Sequence, residues 1–233
     1  PMMLLRSGLF MVLMVLATPL HAIYIMLSFP LPHRTRRKTV MPWVHMTSWL
    51  TEHLLGIRYE VVGRENIRPG AAVILAKHQS AWETIMLQEI FDEPLFVWKK
   101  ELKYLPFFGW ALATQPSISI DRKAGKDALK QLVEQGRLRL GQGYPIIIFP
   151  EGTRVPPGQK KRYKIGGAHL AAATGVPVLP VALNSGEFWR RNAFIKRPGT
   201  ITVSIGPAIA PAGLTADEIN RRAETWMENE MRR

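Results

Sequence analysis

The sequence has 233 residues, of which 47% are hydrophobic, and its 31 Lys and Arg against 18 Asp and Glu give a formal net charge of +13. This length is sufficient for one substantial core, and the absence of cysteine excludes disulfides, thiolate nucleophiles and cysteine-based zinc sites. The charge predicts an anionic partner, and we do not expect nucleic acid because the sequence has no zinc-finger spacing, RNP-like motif or basic leucine-zipper pattern.

The amino-terminal region contains a largely apolar stretch at residues 9–29, with no Asp, Glu, Lys or Arg. As a helix rising about 1.5 Å per residue, it could cross a hydrocarbon layer of ~30 Å, with a kink at Pro19. A cleaved signal peptide is the alternative, but a retained membrane anchor is favoured because a basic cluster follows the stretch. That cluster outweighs Arg6 on the near side and predicts that the rest of the chain lies in the cytoplasm; its members are Arg34, Arg36, Arg37 and Lys38.

A second amphipathic segment follows at residues 43–55. Its indole rings and the preceding basic cluster are typical of a helix among lipid headgroups, although packing on the protein's own domain explains the same apolar stripe about as well. We therefore divide the chain into membrane-anchoring helices at residues 1–56 and a catalytic domain at residues 57–233.

Residues 77–83 carry the side chains best suited to catalysis. The apolar run at residues 71–76 predicts a buried strand, so His78 lies just beyond a strand end. Ser80 and Glu83 have the spacing of a capping box and predict a helix that begins at Ser80. His78 and Glu83 can meet only if the histidine lies in the turn before that helix. The alternative is a structural histidine with Glu83 acting only as a helix cap.

Further strands and helices alternate along the rest of the chain. Short apolar runs predict strands at residues 94–98, 117–120, 144–150, 176–183 and 201–205. Helical patterns lie at residues 125–136 and 166–173, and a closing helix is capped at Thr215. This alternation predicts an α/β fold: a mixed, largely parallel sheet flanked by helices, with an amino-terminal transmembrane or interfacial helical segment.

Polar residues also follow two of these strands. Asp121 and Arg122 follow residues 117–120, and Glu151, Gly152, Thr153 and Arg154 follow residues 144–150. Gly152 permits a sharp turn, and the fork of donors on Arg154 suits a phosphate or a carboxylate. A turn with a surface salt bridge is the alternative. The aromatic residues 104–110 suit either a membrane or acyl-chain surface or a place near the core.

Four segments together resemble the glycerolipid acyltransferase family: residues 78–83, 118–122, 151–154 and 176–180. The likeness extends over about residues 50–210. The family pattern places an aspartate five residues after the histidine, whereas this chain has Glu83. Glutamate keeps the negative charge, but its side chain is one methylene longer than that of aspartate. This departure bears on the identity of the acceptor more than on the class of reaction.

The resemblance implies transfer of a fatty acyl group from a thioester to the free sn-2 hydroxyl of lysophosphatidic acid, which gives phosphatidic acid. His78 would be the general base and Glu83 its partner, while Arg122 and Arg154 would bind the phosphate on a loop shaped by Glu151, Gly152 and Thr153. The donor would be acyl-CoA or acyl carrier protein, with no metal or other cofactor. The protein would associate with membrane lipids, in the bacterial inner membrane with the catalytic domain on the cytoplasmic side.

Three alternative functions remain open from the sequence. The acceptor could be a lipid A precursor or an amino-acid lipid. The protein could be a lipid or thioester hydrolase, although the sequence lacks the G-x-S-x-G motif of the commonest hydrolase design. It could also bind anionic lipids without catalysis.

Overall fold

A computed structural model describes all 233 residues of the chain. The strands are β1 (Ile57–Val62), β2 (Val73–Ala76), β3 (Leu95–Lys99), β4 (Ile118–Ile120), β5 (Ile146–Ile148), β6 (Val178–Leu183) and β7 (Gly199–Ile205). They form one sheet in the order β1-β7-β6-β2-β5-β3-β4, in which only β6 and β7 pair antiparallel. The predicted mixed, largely parallel sheet is therefore confirmed.

Eight α-helices accompany the sheet. They are α1 (Met2–Leu27), α2 (His33–Lys38), α3 (Met41–His53), α4 (Trp82–Ile90), α5 (Phe108–Ala113), α6 (Lys126–Gly141), α7 (Gly166–Thr174) and α8 (Ala216–Glu230). The predicted cap of the last helix is present: Thr215 and Glu218 form a reciprocal capping box at α8.

The core lies on both faces of the sheet because its central strands are apolar on both sides. On β2, Ile74 packs into a cluster with residues of α3 and α4, whereas Val73 and Leu75 pack into a second cluster with α6, α7 and α8. A continuous apolar run is typical of a parallel strand covered on both faces. The edge strand β1 differs, since its residues alternate between buried or partly buried and exposed, and it is not among the strands predicted from apolar runs.

Helix α1 lies along the domain and contacts it in both halves. Near its start, the Ser7 hydroxyl accepts a hydrogen bond from the backbone N–H of Lys196 at 3.0 Å. Farther along, Ala22 and Ile25 pack against Ala111 of α5, and the Trp43 indole of α3 donates to the Thr18 hydroxyl at 3.1 Å. The helix is long and apolar enough to cross a membrane, and it leaves residues such as Leu5 exposed. Its apolar outer face is therefore free to contact lipid while its inner face holds the domain.

Two arginines of the predicted basic flank are buried. Arg36 donates to the Thr114 carbonyl at 2.7 Å, and Arg37 donates to the Gln88 side chain and the Pro94 carbonyl at 2.8 and 2.9 Å. Burial lowers the pKa of Arg37 to about 10. These two residues of the cluster therefore do not face lipid or solvent but attach the amino-terminal helices to the domain. Arg34 and Lys38 are exposed.

Candidate active site

His78 and Glu83 meet at the carboxyl end of β2. The Nδ1 atom of His78 lies 2.9 Å from Oε1 of Glu83. The contact forms because His78 lies in the turn that precedes α4, as the spacing required. The helix begins at Trp82 rather than at Ser80, so the predicted start was two residues too early.

The Glu83 carboxylate is completely buried and accepts five hydrogen bonds. Oε1 accepts from His78 and from the backbone N–H groups of Gln79 and Ser80, the latter two at 2.6 and 2.8 Å. Oε2 accepts from the hydroxyls of Ser80 and Ser185 at 3.0 and 2.7 Å. Only half of the predicted capping box is present, the hydrogen bond from the Ser80 backbone N–H to the Glu83 carboxylate. The other half is missing because the Ser80 hydroxyl accepts from the Trp82 N–H and not from the Glu83 N–H.

These contacts keep Glu83 ionised. Burial alone would raise the pKa of Glu83, but the hydrogen bonds from His78, Ser80 and Ser185 and the proximity of the imidazole together lower it. An anionic carboxylate on Nδ1 selects the histidine tautomer that carries its proton there. The Nε2 atom then has its lone pair available, and it has no hydrogen-bond partner within the chain.

A second buried carboxylate holds the backbone of His78. Oε2 of Glu151 accepts from the His78 N–H at 2.9 Å, and Oε1 accepts from the Lys77 ammonium. Lys77 also donates to Glu228 of α8 at 2.8 Å, and Tyr163 donates to the same oxygen at 2.9 Å. Burial raises the pKa of Glu151 although Lys77 and the His78 amide oppose it.

The position of Glu151 leaves no direct contact with a phosphate. Glu151 was grouped with the phosphate-binding residues as one that shapes their loop, and its carboxylate is fully buried and occupied by Lys77 and His78. It contacts the protein interior and has no exposed surface with which to reach a substrate. Glu151 is thus a support for the turn that carries His78.

A cavity of ≈ 580 Å³ opens beside His78. The imidazole stacks on Phe149 with ring centroids 4.0 Å apart, and both residues line the cavity. Apolar residues of α1 and α5 form part of the wall, among them Ile25 and Leu112. The volume and the mainly apolar wall with a few polar groups are typical of a small-molecule site.

The other predicted site residues gather at the same cavity. Arg122, Gly152, Thr153 and Arg154 all line it, although they come from two different strand-end loops. Nη1 of Arg122 donates to the Gly152 carbonyl at 2.8 Å, which joins the two loops. Gly152 has a φ of +70°, a left-handed backbone conformation that favours glycine at this turn.

Several residues of the site were not predicted from the sequence. Ser185 and Gln79 support the pair, because Ser185 donates to Glu83 and the Gln79 side chain accepts from the Gly186 N–H at 2.9 Å. Arg191 and Asn192 also line the cavity. Ser185, Arg191 and Asn192 follow the predicted strand at residues 176–183. Because the ends of parallel strands share one edge of the sheet, that position could have indicated that they lie near His78. No three His, Asp or Glu side chains are grouped so as to hold a metal ion.

Comparisons with known proteins agree with this architecture. Residues 58–184 match the family model described as Acyltransferase, and this segment includes His78, Arg122 and residues 151–154. The solved structure of the 1-acyl-sn-glycerophosphate (LPA) acyltransferase PlsC from Thermotoga maritima has the same fold. Its TM-score is 0.81 at 23% identity, and the match covers 98% of this chain and 94% of that one.

Curated relatives extend the likeness to sequence. The chain is 49% identical over 205 residues to the 1-acyl-sn-glycerol-3-phosphate acyltransferase of Pseudomonas aeruginosa, which covers 86% of this chain and 80% of that protein. It is 30% identical over 192 residues to the protein of the same name from Saccharomyces cerevisiae, with 77% of this chain and 63% of that protein covered. The family match over the segment that holds the site, together with the 49% identity, establishes that this chain belongs to the acyltransferase family.

Proposed function

We propose that this protein transfers a fatty acyl group from a thioester to the sn-2 hydroxyl of lysophosphatidic acid and so makes phosphatidic acid. The donor would be acyl-CoA or acyl carrier protein. The observation that carries the proposal is the 2.9 Å contact between His78 and the ionised Glu83 beside a largely apolar cavity. The names of the bacterial and eukaryotic relatives support this acceptor.

The chemistry follows from the orientation of the imidazole. Nε2 of His78 removes the proton of the acceptor hydroxyl as its oxygen attacks the thioester carbonyl carbon. The ionised Glu83 stabilises the imidazolium that results, and its contact with Nδ1 keeps the ring in place. When the C–S bond breaks, the departing sulfur takes up the proton from Nε2, so the histidine returns to its neutral form and no covalent enzyme intermediate is needed.

The cavity suits an amphiphilic acceptor. Arg122 and Arg154 would bind the phosphate by charge-assisted hydrogen bonds, with Gly152 setting the loop and Thr153 in the cavity wall. The apolar wall contributed by α1 and α5 would accommodate hydrocarbon. This arrangement favours a lipid monophosphate over a fully water-soluble acceptor.

The outer surface supports a membrane location. Tyr104 and Trp110 are 70% and 47% exposed, and the outward face of α1 is apolar. Because α1 contacts the domain in both halves, an interfacial position in one leaflet accounts for its exposed face without drawing the domain into the bilayer. We place the catalytic domain on the cytoplasmic side of the bacterial inner membrane, because the exposed Arg34 and Lys38 would be attracted to the anionic lipids of the cytoplasmic leaflet.

Turnover by the purified full chain in lipid or detergent tests this function. Acyl thioester should be consumed only when lysophosphatidic acid is present, and phosphatidic acid should appear in equal amount. His78→Gln should abolish the reaction, whereas His169→Gln, on α7, should retain it. Equal thioester loss without an acceptor would favour a hydrolase, and acylation only of a lipid A precursor or amino-acid lipid would redirect the acceptor. Binding of lipid without thioester loss would indicate a non-enzymatic protein.

A further inference from the structure

Two cavity residues belong to the loop that follows β6 and have no role in the chemistry described so far. A turn closes between Arg190 and Ala193, where the Ala193 N–H donates to the Arg190 carbonyl at 3.2 Å. Its two central residues, Arg191 and Asn192, both line the cavity, whereas Arg190 does not. Asn192 has a φ of +57°, a backbone conformation that asparagine adopts more readily than most residues. The turn therefore presents its central residues to the site.

This loop is fastened to the catalytic turn and to α1. At its start, Ser185 donates to Glu83 and the Gly186 N–H donates to Gln79. At its end, the Lys196 N–H donates to Ser7. Anchors at both ends give the Arg190–Ala193 turn a defined position at the cavity that His78 also lines.

The Arg191 guanidinium lies against the loop that carries Arg154. Its Nη1 is 3.4 Å from the Arg154 carbonyl oxygen, while Arg122 donates to the Gly152 carbonyl of the same loop. Three arginines from three strand-end loops thus line one cavity. None of them is among the residues paired with Asp or Glu, so their charge is available to a ligand.

We propose that Arg191 is a third ligand of the acceptor phosphate, and that it selects a phosphomonoester lysolipid over one with a phosphodiester headgroup. The inference rests on the proposed function. A phosphomonoester carries a charge of about −1.5 to −2 at pH 7 and three terminal oxygens, as phosphoserine does. A diester carries one negative charge and two such oxygens, so it gains less from a third guanidinium.

The test compares Arg191→Gln with Arg190→Gln, the same change at the neighbouring exposed arginine outside the cavity. The measurements are kcat and KM for lysophosphatidic acid, KM for the acyl thioester, and the rate ratio between lysophosphatidic acid and lysophosphatidylcholine. Arg191→Gln should raise the KM for lysophosphatidic acid by about tenfold, the effect of losing one partly exposed charge-assisted hydrogen bond. The rate ratio should fall, and the thioester KM and Tm should stay unchanged. Arg190→Gln should match the wild type throughout.

Two results would overturn the inference. If Arg191→Gln and Arg190→Gln behave alike, Arg191 does not bind the acceptor. If Arg191→Gln raises only the thioester KM, the residue serves the donor. Failure of the proposed function is separately visible, because the wild-type protein would then make no phosphatidic acid under the same conditions.

Discussion

The hydroxyl of Ser185 donates to Oε2 of Glu83 at 2.7 Å, and these residues are 102 positions apart in the chain. The contact joins the loop after β6 to the turn after β2. Because Oε1 of the same carboxylate contacts His78, the orientation of the imidazole depends on both strand ends. The histidine pair is thus held by tertiary structure as well as by its local spacing.

Glu83→Gln tests the catalytic role of the carboxylate. The variant should fold, because serine hydroxyls can rotate to accept from the new amide N–H₂ where they now donate to Oε2. The kcat should fall by roughly four powers of ten, since the neutral amide no longer stabilises the imidazolium. Activity and Tm are measured together, with Glu83→Asp as the comparison that should retain measurable turnover. Near-normal turnover of the glutamine variant would reduce Glu83 to a structural residue.

Ser185→Ala removes one of the five hydrogen bonds to Glu83. We expect a loss of about 1.5–3 kcal/mol in the free energy of unfolding, because the bond is made to a charged and buried acceptor. The kcat should fall far less than in Glu83→Gln, since His78 keeps its contact with the carboxylate. Denaturant unfolding and turnover provide the measurements, and Ser204→Ala, at a buried serine on β7, is the control. A stability loss no larger than that of Ser204→Ala would contradict the assigned role.

Lys77→Met tests the buried ion pairs beneath the site. Lys77 contacts Glu151 and Glu228 with a side chain only 3% exposed. The variant leaves two carboxylates without their cation and should lose roughly 3–5 kcal/mol of stability. The matched control is Lys160→Met, which breaks an exposed salt bridge to Glu224, a residue of α8 like Glu228. This variant should lose less than about 1 kcal/mol of stability. Equal losses in the two variants would refute the buried network as a stabilising feature.

The pH dependence of stability follows from Glu83. Burial opposes ionisation of this carboxyl, but its hydrogen bonds hold its pKa in the folded protein below the ordinary value of 4.5. Such a group stabilises the fold at pH above its unfolded pKa, and the contribution is lost as pH falls through the folded pKa. The wild-type Tm should therefore fall more steeply than that of Glu83→Gln on acidification below about pH 4.5. Parallel Tm curves for the two proteins would show that Glu83 is not so perturbed.

The cytoplasmic orientation predicts protection of an exposed basic loop. Lys160, Lys161, Arg162 and Lys164 are exposed and are suitable protease sites. Trypsin added to intact spheroplasts should leave this loop uncut, and the same protease should cut it after the membrane is permeabilised. Cleavage in sealed spheroplasts would reverse the assigned topology.

Local rules in the sequence determined much of the fold. The apolar run through Val73, Ile74 and Leu75 is a buried strand in the structure, and the Thr215 cap begins α8 as its spacing requires. The spacing of His78 and Glu83 also predicts that the two side chains meet only if the histidine lies before the helix. Such features depend on residues a few positions apart, whose relative geometry is set by backbone periodicity and hydrogen bonding.

Tertiary structure decided which polar groups are buried and what they contact. Arg36 and Arg37 have the composition of a membrane flank, yet carbonyl and amide acceptors from distant elements allow both to be buried. Likewise, Glu151 is a support beneath His78 because Lys77 neutralises it from another strand end. The burial of a charge depends on whether a partner from elsewhere in the fold compensates for lost hydration, and no local sequence pattern contains that partner.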